Sequence, residues 1–433
     1  MTSESTVEQT VHSPSTTKHN KEDTTMVERS QSLQAFLDKF ARSLEKGDGS
    51  KVRDGVFLHD QIPLLCFIPN REMERKDFTV GNILGSGNFG TVNKGEATGL
   101  FYPGSKTPVA MKTIRDVTNH NDTDCFVVEM KILSNLEYHC NLVNMVGTYT
   151  TKIRETGEVW MLLEYCELGD LKNFICNNKY LFENSFEGYI DTNNSIENRL
   201  LLHWSYDIAK GMEYLASKHV MHGDLAARNI LLTQSGNSDK KMVAKVADFG
   251  LSKKMTYRNS YEKKERNYVP WKWMAFEFLE SNIFKMKSDV WSYAVVIWEI
   301  FSLGELPYGE KEFDEVFEDL QAGYQLECPD GINKIINWPA SQFYNTIAKK
   351  CFVLEEKDRI SFKELVTFIQ TMLNEAELNS YEKVSNQRLF KHNLILDEES
   401  RLRIRTTSNA TKKIKVGVGQ PCIELADRRP SCL

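Results

Sequence analysis

The run His222-Gly223-Asp224-Leu225-Ala226-Ala227-Arg228-Asn229 is followed, nineteen residues after Asn229, by Asp248-Phe249-Gly250. Together they carry the residue types that phosphoryl transfer demands. That reaction needs a carboxylate beside the acceptor hydroxyl and oxygen ligands that hold Mg²⁺ against the phosphates. Asp224 suits the first role, Asn229 and Asp248 the second. Upstream, Gly85-Ser86-Gly87-Asn88-Phe89-Gly90 follows a predicted strand, and its glycines let backbone amides approach phosphate oxygens with no Cβ in the way. On its own this loop is weak evidence. A dinucleotide site would run on into a helix with an acidic ribose ligand about 20 residues later, whereas this loop enters Thr91-Val92, a second strand. No Gly-Lys-Ser/Thr follows it, which removes the P-loop reading.

Val109-Ala110-Met111-Lys112 forms an apolar strand, and a lysine leaving such a strand needs an anionic partner, which ATP phosphates would supply. Glu129, in the helical run 126–136, is the candidate to hold that lysine through an ion pair. Taken singly, both are ordinary surface charges; it is the order of the motifs that gives them meaning.

The elements that must position these groups change character along the chain. Residues 78–84, 91–96 and 109–114 are short β-rich runs broken by glycine or proline, which predicts a small antiparallel sheet. Beyond Leu200 the period becomes 3.6: Leu201, Trp204, Ile208, Met212 and Leu215 share one helix face, and residues 290–301 are apolar nearly all round. The run 293–301 is interrupted by Glu299, so no stretch of 18 apolar residues exists to span a bilayer. Before the sheet, Leu33, Phe36, Leu37, Phe40 and Leu44 recur at helical spacing, with Gly47 and Gly49 as a stop, predicting one amphipathic helix near 33–45 that docks on this same protein. Residues 1 to about 32 are polar low-complexity sequence, and the extension 1–77 apart from this helix is expected to be largely disordered. An Asn-rich stretch at 177–198 reads as an insertion between helices, and 374–433 as a polar tail. Arg401, Arg403, Arg405, Lys412, Lys413 and Lys415 make part of that tail basic, which leaves a weak contact with anionic lipid or a nuclear address open beside a solvated tail.

Composition narrows the partners. A net charge of −6 without clustered cations argues against nucleic acid, which requires Lys and Arg to displace counterions. Nine cysteines with no CxxC pair fit reduced thiols better than disulfides or a zinc site. The first thirty residues lack an apolar signal region, Thr2 excludes N-myristoylation, and Cys432 stands too near the end for prenylation. The expectation is a cytoplasmic protein, with contact at the inner face of the plasma membrane left open.

Glycine loop, Val-Ala-Met-Lys, His-Gly-Asp-Leu-Ala-Ala-Arg-Asn and Asp-Phe-Gly, in this order and spacing, resemble the protein kinase catalytic domain over residues 78–373. The resemblance implies an α+β, two-lobed kinase fold: a small antiparallel β-sheet N-lobe with one main helix at 78–163, a hinge at 164–167 and a larger, mainly helical C-lobe at 168–373. It also implies ATP and Mg²⁺ as cofactors. Nucleotide would contact Gly85, Ser86, Gly87, Asn88, Phe89, Gly90, Val92, Ala110, Lys112, Glu164, Cys166 and Asn229, with Leu163 as gatekeeper. Asn229 and Asp248 would bind metal. Asp224, Arg228, Lys112 and Glu129 would carry catalysis. Ser288-Asp289-Val290-Trp291-Ser292 resembles the helix whose Asp supports the catalytic loop. Ala226 and Arg228, together with Pro270-Trp271-Lys272-Trp273-Met274, are similar to tyrosine kinases, so protein tyrosines are the expected acceptors. The stretches 164–171 and 208–215 look closest to growth-factor-receptor kinase domains, with 177–198 as a short kinase insert.

Several positions depart from that family. Gly223 replaces the usual arginine that clamps a phosphorylated activation-loop tyrosine, so a switch at Tyr261, or at nearby Tyr257 and Tyr268, would need Lys263, Lys264 or Arg266 instead. Phe276, Phe352 and Ile360 replace Pro, Trp and Pro, changes expected to be local, while Glu277 and its expected ion-pair partner Arg359 are kept. A nucleotide-binding scaffold without transfer is the alternative, opposed by Lys112, Asp224 and Asp248 all being present. A serine/threonine kinase is opposed by Arg228 and the Pro270 segment. Tyr189 and Tyr381 are candidate docking points for phosphotyrosine-binding adaptors.

Overall fold

In the computed structural model the described residues are 19–69, 71–87, 90–179, 182, 197–234, 242–248, 270–330 and 340–373, with side chains described from residue 31 except at 197–199. They all lie within the first of two units, Met1–Ser385. The insertion at 177–198 is therefore described at only a few positions, and the tail from 374 lies outside the description.

The N-lobe is a five-stranded antiparallel sheet in the order β1-β2-β3-β5-β4, from β1 (Phe78–Ser86), β2 (Gly90–Thr98), β3 (Lys106–Ile114), β4 (Met145–Tyr149) and β5 (Trp160–Glu164). Side chains alternate across a strand, and the two faces take different work. Val109, Met111 and Leu162 join Met73, Phe78, Leu100 and Tyr149 in a small outer core, whereas Met161 and Ile114 face the main core. Ala110 and Lys112 share that inner face by their spacing. Gly90 begins β2 where the backbone passes so close to β3 that a Cβ would run into the Thr113 carbonyl oxygen.

Helix α2 (His120–Ser134) crosses behind the sheet. Asn119 starts it by accepting from the N–H of Asn121 at 2.9 Å, a cap that satisfies an otherwise orphaned donor. Its residues from Cys125 to Ser134 are all buried, which is why the sequence shows no clean amphipathic stripe there.

The sequence pattern predicts a helix near 33–45; α1 runs His19–Glu45, beginning about four turns earlier. The apolar side chains Leu37, Phe40, Ala41 and Leu44 are each only 3% exposed. Beyond it, residues 46–69 depart from the disorder expected for most of the extension 1–77. They form short 3-10 turns at Gly49–Lys51 and Leu58–Gln61, and bury Ile62 and Leu65 in the main core. Order here comes from tertiary contact rather than local propensity. The short α3 (Ile153–Thr156), between β4 and β5, packs on α1.

The C-lobe is built from α4 (Leu171–Asn177), α5 (Glu197–Ser217), α6 (Phe276–Ser281), α7 (Ser288–Phe301), α8 (Phe313–Gln321), α9 (Ala340–Cys351) and α10 (Phe362–Gln370), with the hairpin β6 (Ile230–Gln234) and β7 (Met242–Val246). Buried Trp204, Ile208, Met212 and Leu215 confirm the helical face read from the sequence. Of the expected local packing changes, Phe276 stacks on Phe317 of α8 at 5.4 Å, and Phe352 meets Trp291 edge-on at 4.9 Å. Glu277 and Arg359 pair as anticipated, through two parallel bonds of 3.0 and 2.9 Å.

Candidate active site

Strand register gathers the first half of the site. Gly85 stands opposite Val92, Val92 opposite Lys112 and Lys112 opposite Met161, so the glycine loop, a strand valine and the lysine form one cross-strand row. Ala110 lies in the neighbouring row, between Lys94 and Leu163. Ser86 and Gly87 at the loop tip are tied to the end of β3, because Arg115 Nη2 donates to Ser86 Oγ and to the Gly87 carbonyl, both at 2.7 Å.

The Lys112 ammonium donates to Glu129 Oε1 and Oε2 at 2.8 and 2.7 Å and to Asp248 Oδ1 at 3.1 Å. Burial works against that charge, but the Asp248 and Glu129 carboxylates outweigh it and hold the lysine pKa above its ordinary value. The lysine is therefore fully charged at neutral pH and fixed from both sides.

Between α5 and β6 the second half assembles. Asn229 Nδ2 donates to Asp224 Oδ2 and to the Asp224 carbonyl, each at 2.7 Å, while Arg228 Nη2 donates to Asp224 Oδ1 at 2.5 Å. Burial nevertheless lifts the Asp224 carboxyl to about 6, since Arg228 and Asn229 only partly compensate. The loop beneath is held by Asp289 of α7, which accepts from the N–H groups of His222 at 2.8 Å and Gly223 at 3.0 Å. His222 accepts from the Asp224 N–H on Nδ1 at 3.2 Å and faces the Ala247 carbonyl with Nε2 at 3.0 Å. Those partners place its proton on Nε2, and burial keeps the ring neutral by lowering its pKa to about 4. Gly223 adopts φ +76°, a conformation that costs glycine little, so the backbone here suits the residue that replaces the family's arginine.

Asp248 also has a positive φ, +62°, a strained setting for a non-glycine residue of order 1–3 kcal/mol. Its neighbour Ala247 donates to the Asn229 carbonyl at 2.9 Å, so the backbones carrying Asp248 and Asn229 are stitched together. The side chain of Asp248 is 46% exposed. Asn229 spends its amide N–H groups on Asp224, so among the described residues Oδ1 remains as the acceptor end of that side chain. An exposed carboxylate and a carbonyl-type oxygen on stitched backbones are the hard oxygen donors that suit Mg²⁺.

The segment between the lobes is pinned electrostatically. Glu164 Oε2 accepts from Lys245 Nζ at 2.8 Å and from Asn144 Nδ2 at 2.8 Å. Burial opposes the Glu164 charge, but Lys245 and Asn144 hold its pKa below the usual carboxylate value. Its side chain is thus engaged by Lys245 and Asn144. Cys166, two residues on, is buried, and its carbonyl accepts from Gly169 N–H at 3.2 Å.

Lys112, Glu129 and Asp248 are joined directly, as are Asp224, Arg228 and Asn229. Asn88, Phe89, Phe249, Gly250, the activation-segment tyrosines at 257, 261 and 268 with their candidate partners Lys263, Lys264 and Arg266, and both Tyr189 and Tyr381 lie outside the described residues. Some contributors escaped the sequence reading. Glu299, 1% exposed, accepts from the Ala227 N–H and from Trp273 Nε1, both at 2.8 Å, and Arg228 lies 4.6 Å over that indole ring. A carboxylate interrupting the apolar run 293–301 was the available clue, since it breaks a span and also marks a buried anchor. Arg115 and Asn144 offered no clue of comparable strength, and Lys245 only that of a charge within the apolar run 242–246.

Residues 78–369 match the family model described as protein tyrosine and serine/threonine kinase. The chain is 33% identical over 293 residues to "Tyrosine kinase receptor Cad96Ca" of Drosophila melanogaster, covering 68% of this chain and 35% of that protein. It is 31% identical over 372 residues to "Mast/stem cell growth factor receptor kita" of Danio rerio, covering 73% and 36%. It is 29% identical over 397 residues to "Platelet-derived growth factor receptor alpha" of Homo sapiens, covering 72% and 35%. The matched region spans about a third of the length of these relatives. No helix of the described residues is long and apolar enough to cross a membrane. With its two lobes and the family match running through both, this chain belongs to the protein tyrosine and serine/threonine kinase family.

Proposed function

We propose that this protein transfers the terminal phosphate of ATP to tyrosine hydroxyls of protein substrates on the cytoplasmic side of the cell. The observation that carries the reading is the pairing of Lys112 with both Glu129 and Asp248, which sets a fixed cation beside a metal-binding carboxylate. In this reading Lys112 orients phosphate oxygens, with Glu129 keeping the ammonium in place, while glycine-loop amides close over them. Asp248 and Asn229 Oδ1 would hold Mg²⁺, which supplies neutralisation of phosphate charge when bound. Asp224 accepts the hydroxyl proton as the acceptor attacks, and the proton then resides on the carboxyl oxygen. Arg228, stacked on Trp273 and bonded to Asp224, supports a tyrosine acceptor because a rigid planar cation there can face a phenol.

The test uses the purified full chain with ATP, Mg²⁺ and a poly-Glu-Tyr polymer, followed by phosphoamino acid analysis. Phosphotyrosine is the expected product. ATP binding without transfer would favour the scaffold reading instead, and phosphoserine or phosphothreonine alone would overturn the acceptor class.

A pH profile probes Asp224 separately. Its carboxyl must be ionised to accept a proton, and burial has raised it to about 6, so kcat/KM should climb with pH through about 6 and level off above. Arg228 lowers that pKa, so Arg228→Met should move the acid limb to higher pH. A limb at the usual aspartate value, or one unmoved by Arg228→Met, would show that another group controls the rate.

A further inference from the structure

Lys131 lies two residues beyond Glu129 on α2, about 200° around the helix, so the two side chains leave on opposite faces. Glu129 meets Lys112. Lys131, only 1% exposed, turns the other way and donates to the carbonyl oxygens of Lys46 at 2.6 Å and Ile62 at 3.4 Å. At the end of the same helix Asn135 Nδ2 donates to the Cys66 carbonyl at 2.9 Å, and Ser134 Oγ accepts from the Ile68 N–H at 3.4 Å. Residues 46–68 thus line the outer side of α2 and supply its buried polar groups with partners.

That segment is anchored at further points. Leu58 N–H donates to the His219 carbonyl in the C-lobe at 3.1 Å. Preceding it, α1 packs on α2 and α3: Phe36 meets His120 at the start of α2 with ring centroids 4.5 Å apart, and Leu37 lies against Gly157. Glu45 takes Arg154 of α3 in a two-point ion pair at 2.5 and 2.7 Å, while Gln34 donates to the Arg154 carbonyl at 2.9 Å. A buried ammonium is costly without its carbonyl partners, so the bonds from Lys131 to residues 46 and 62 hold this face of α2 against the segment and resist a turn or shift of the helix. Such a movement would carry Glu129 away from Lys112.

We infer that residues 33–68 form an internal strap that holds α2 where Glu129 reaches Lys112, with Lys131 and Asn135 as positioning residues. The inference rests on the phosphoryl-transfer reading of that site. The strap reaches from the N-lobe helix to the segment after α5, so it also sets α2 relative to the C-lobe loop that bears Asp224.

The test compares the full chain with Lys131→Met, which keeps side-chain length but removes the donors, and with Leu37→Asp, which disrupts α1 at the edge of the lobe. Amide hydrogen exchange over α2 is read against α7, and kcat against acceptor KM. Both variants should exchange α2 amides about tenfold faster with α7 unchanged, and should lose about tenfold in kcat at constant acceptor KM, a size typical of coupling between linked sites. Wild-type exchange in α2, an equal rise in α7, or faster α2 exchange with wild-type kcat would each overturn the strap. If Lys131→Met fails to fold, Leu37→Asp carries the comparison alone. If the wild-type chain transfers no phosphate, the exchange measurement still reads the strap, so failure of the kinase reading and failure of this one are told apart.

Discussion

Replacing Asp224 with Asn should lower kcat for phosphate transfer by about 10²–10⁴-fold while leaving the affinity for ATP near the wild-type value. The substitution removes the proton acceptor but little volume. Asp224 is bonded on one oxygen by Arg228 and on the other by Asn229, so an amide there must present its NH₂ to one of two donors and lose that bond. The disturbance is local, because Asp289 holds the loop through the N–H groups of His222 and Gly223 rather than through Asp224. Steady-state kinetics with a peptide acceptor separates the outcomes. A fall in kcat with unchanged ATP binding is expected; a kcat within about threefold of wild type would remove Asp224 from the proton-transfer role.

The second large effect falls on stability. Arg359→Met should cost about 3–5 kcal/mol, because it leaves Glu277 as a carboxylate without its cation in the C-lobe core. The Arg359 side chain is 0% exposed and the Glu277 side chain 11%. Arg359 also donates to the carbonyls of Val353 at 2.8 Å and Lys287 at 2.7 Å, bonds that methionine cannot replace. Burial alone would raise the Glu277 pKa, but Arg359 holds it below the usual value, so this group contributes stability above the unfolded glutamate pKa that is lost as pH falls through the lower folded one. In Arg359→Met that acid-side loss should disappear. Urea unfolding at neutral pH measures the cost, and a change under about 1 kcal/mol would mean the pair is not the anchor its geometry suggests. Adding Glu277→Gln to Arg359→Met should recover part of the loss, since it removes the stranded charge.

What the sequence makes readable follows from locality. The run 222–229 and Asp248 are short stretches whose residue types and spacing already suggest the proposed chemistry, and Lys112 with Glu129 follow from a strand and a helix of ordinary pattern. The two-lobed order of strands before helices is equally visible, because periodicity changes from two to 3.6 along the chain. Contacts made by side chains to distant backbone leave no such trace. Lys131 reads as one more helix lysine, yet its partners are carbonyls 85 and 69 residues away. The same reason hides the order of residues 46–69, whose glycines at 47, 49 and 55 and prolines at 63 and 69 look like linker until α2 supplies donors for their carbonyls. Glu299 and Lys245 show the middle case: each is a charge in an apolar stretch, which signals burial but not the partner.

The account stands on one arrangement, in which Lys112, Asp224, Asn229 and Asp248 surround a single magnesium nucleotide. A crystal structure of the full chain with Mg²⁺ and a non-hydrolysable ATP analogue tests it most directly. The account predicts a metal about 2.1 Å from oxygens of Asp248 and Asn229, with Lys112 Nζ on a phosphate oxygen and the base beside residues 164–166. Nucleotide bound elsewhere, or a metal held by other residues with Asp248 turned away, would contradict it.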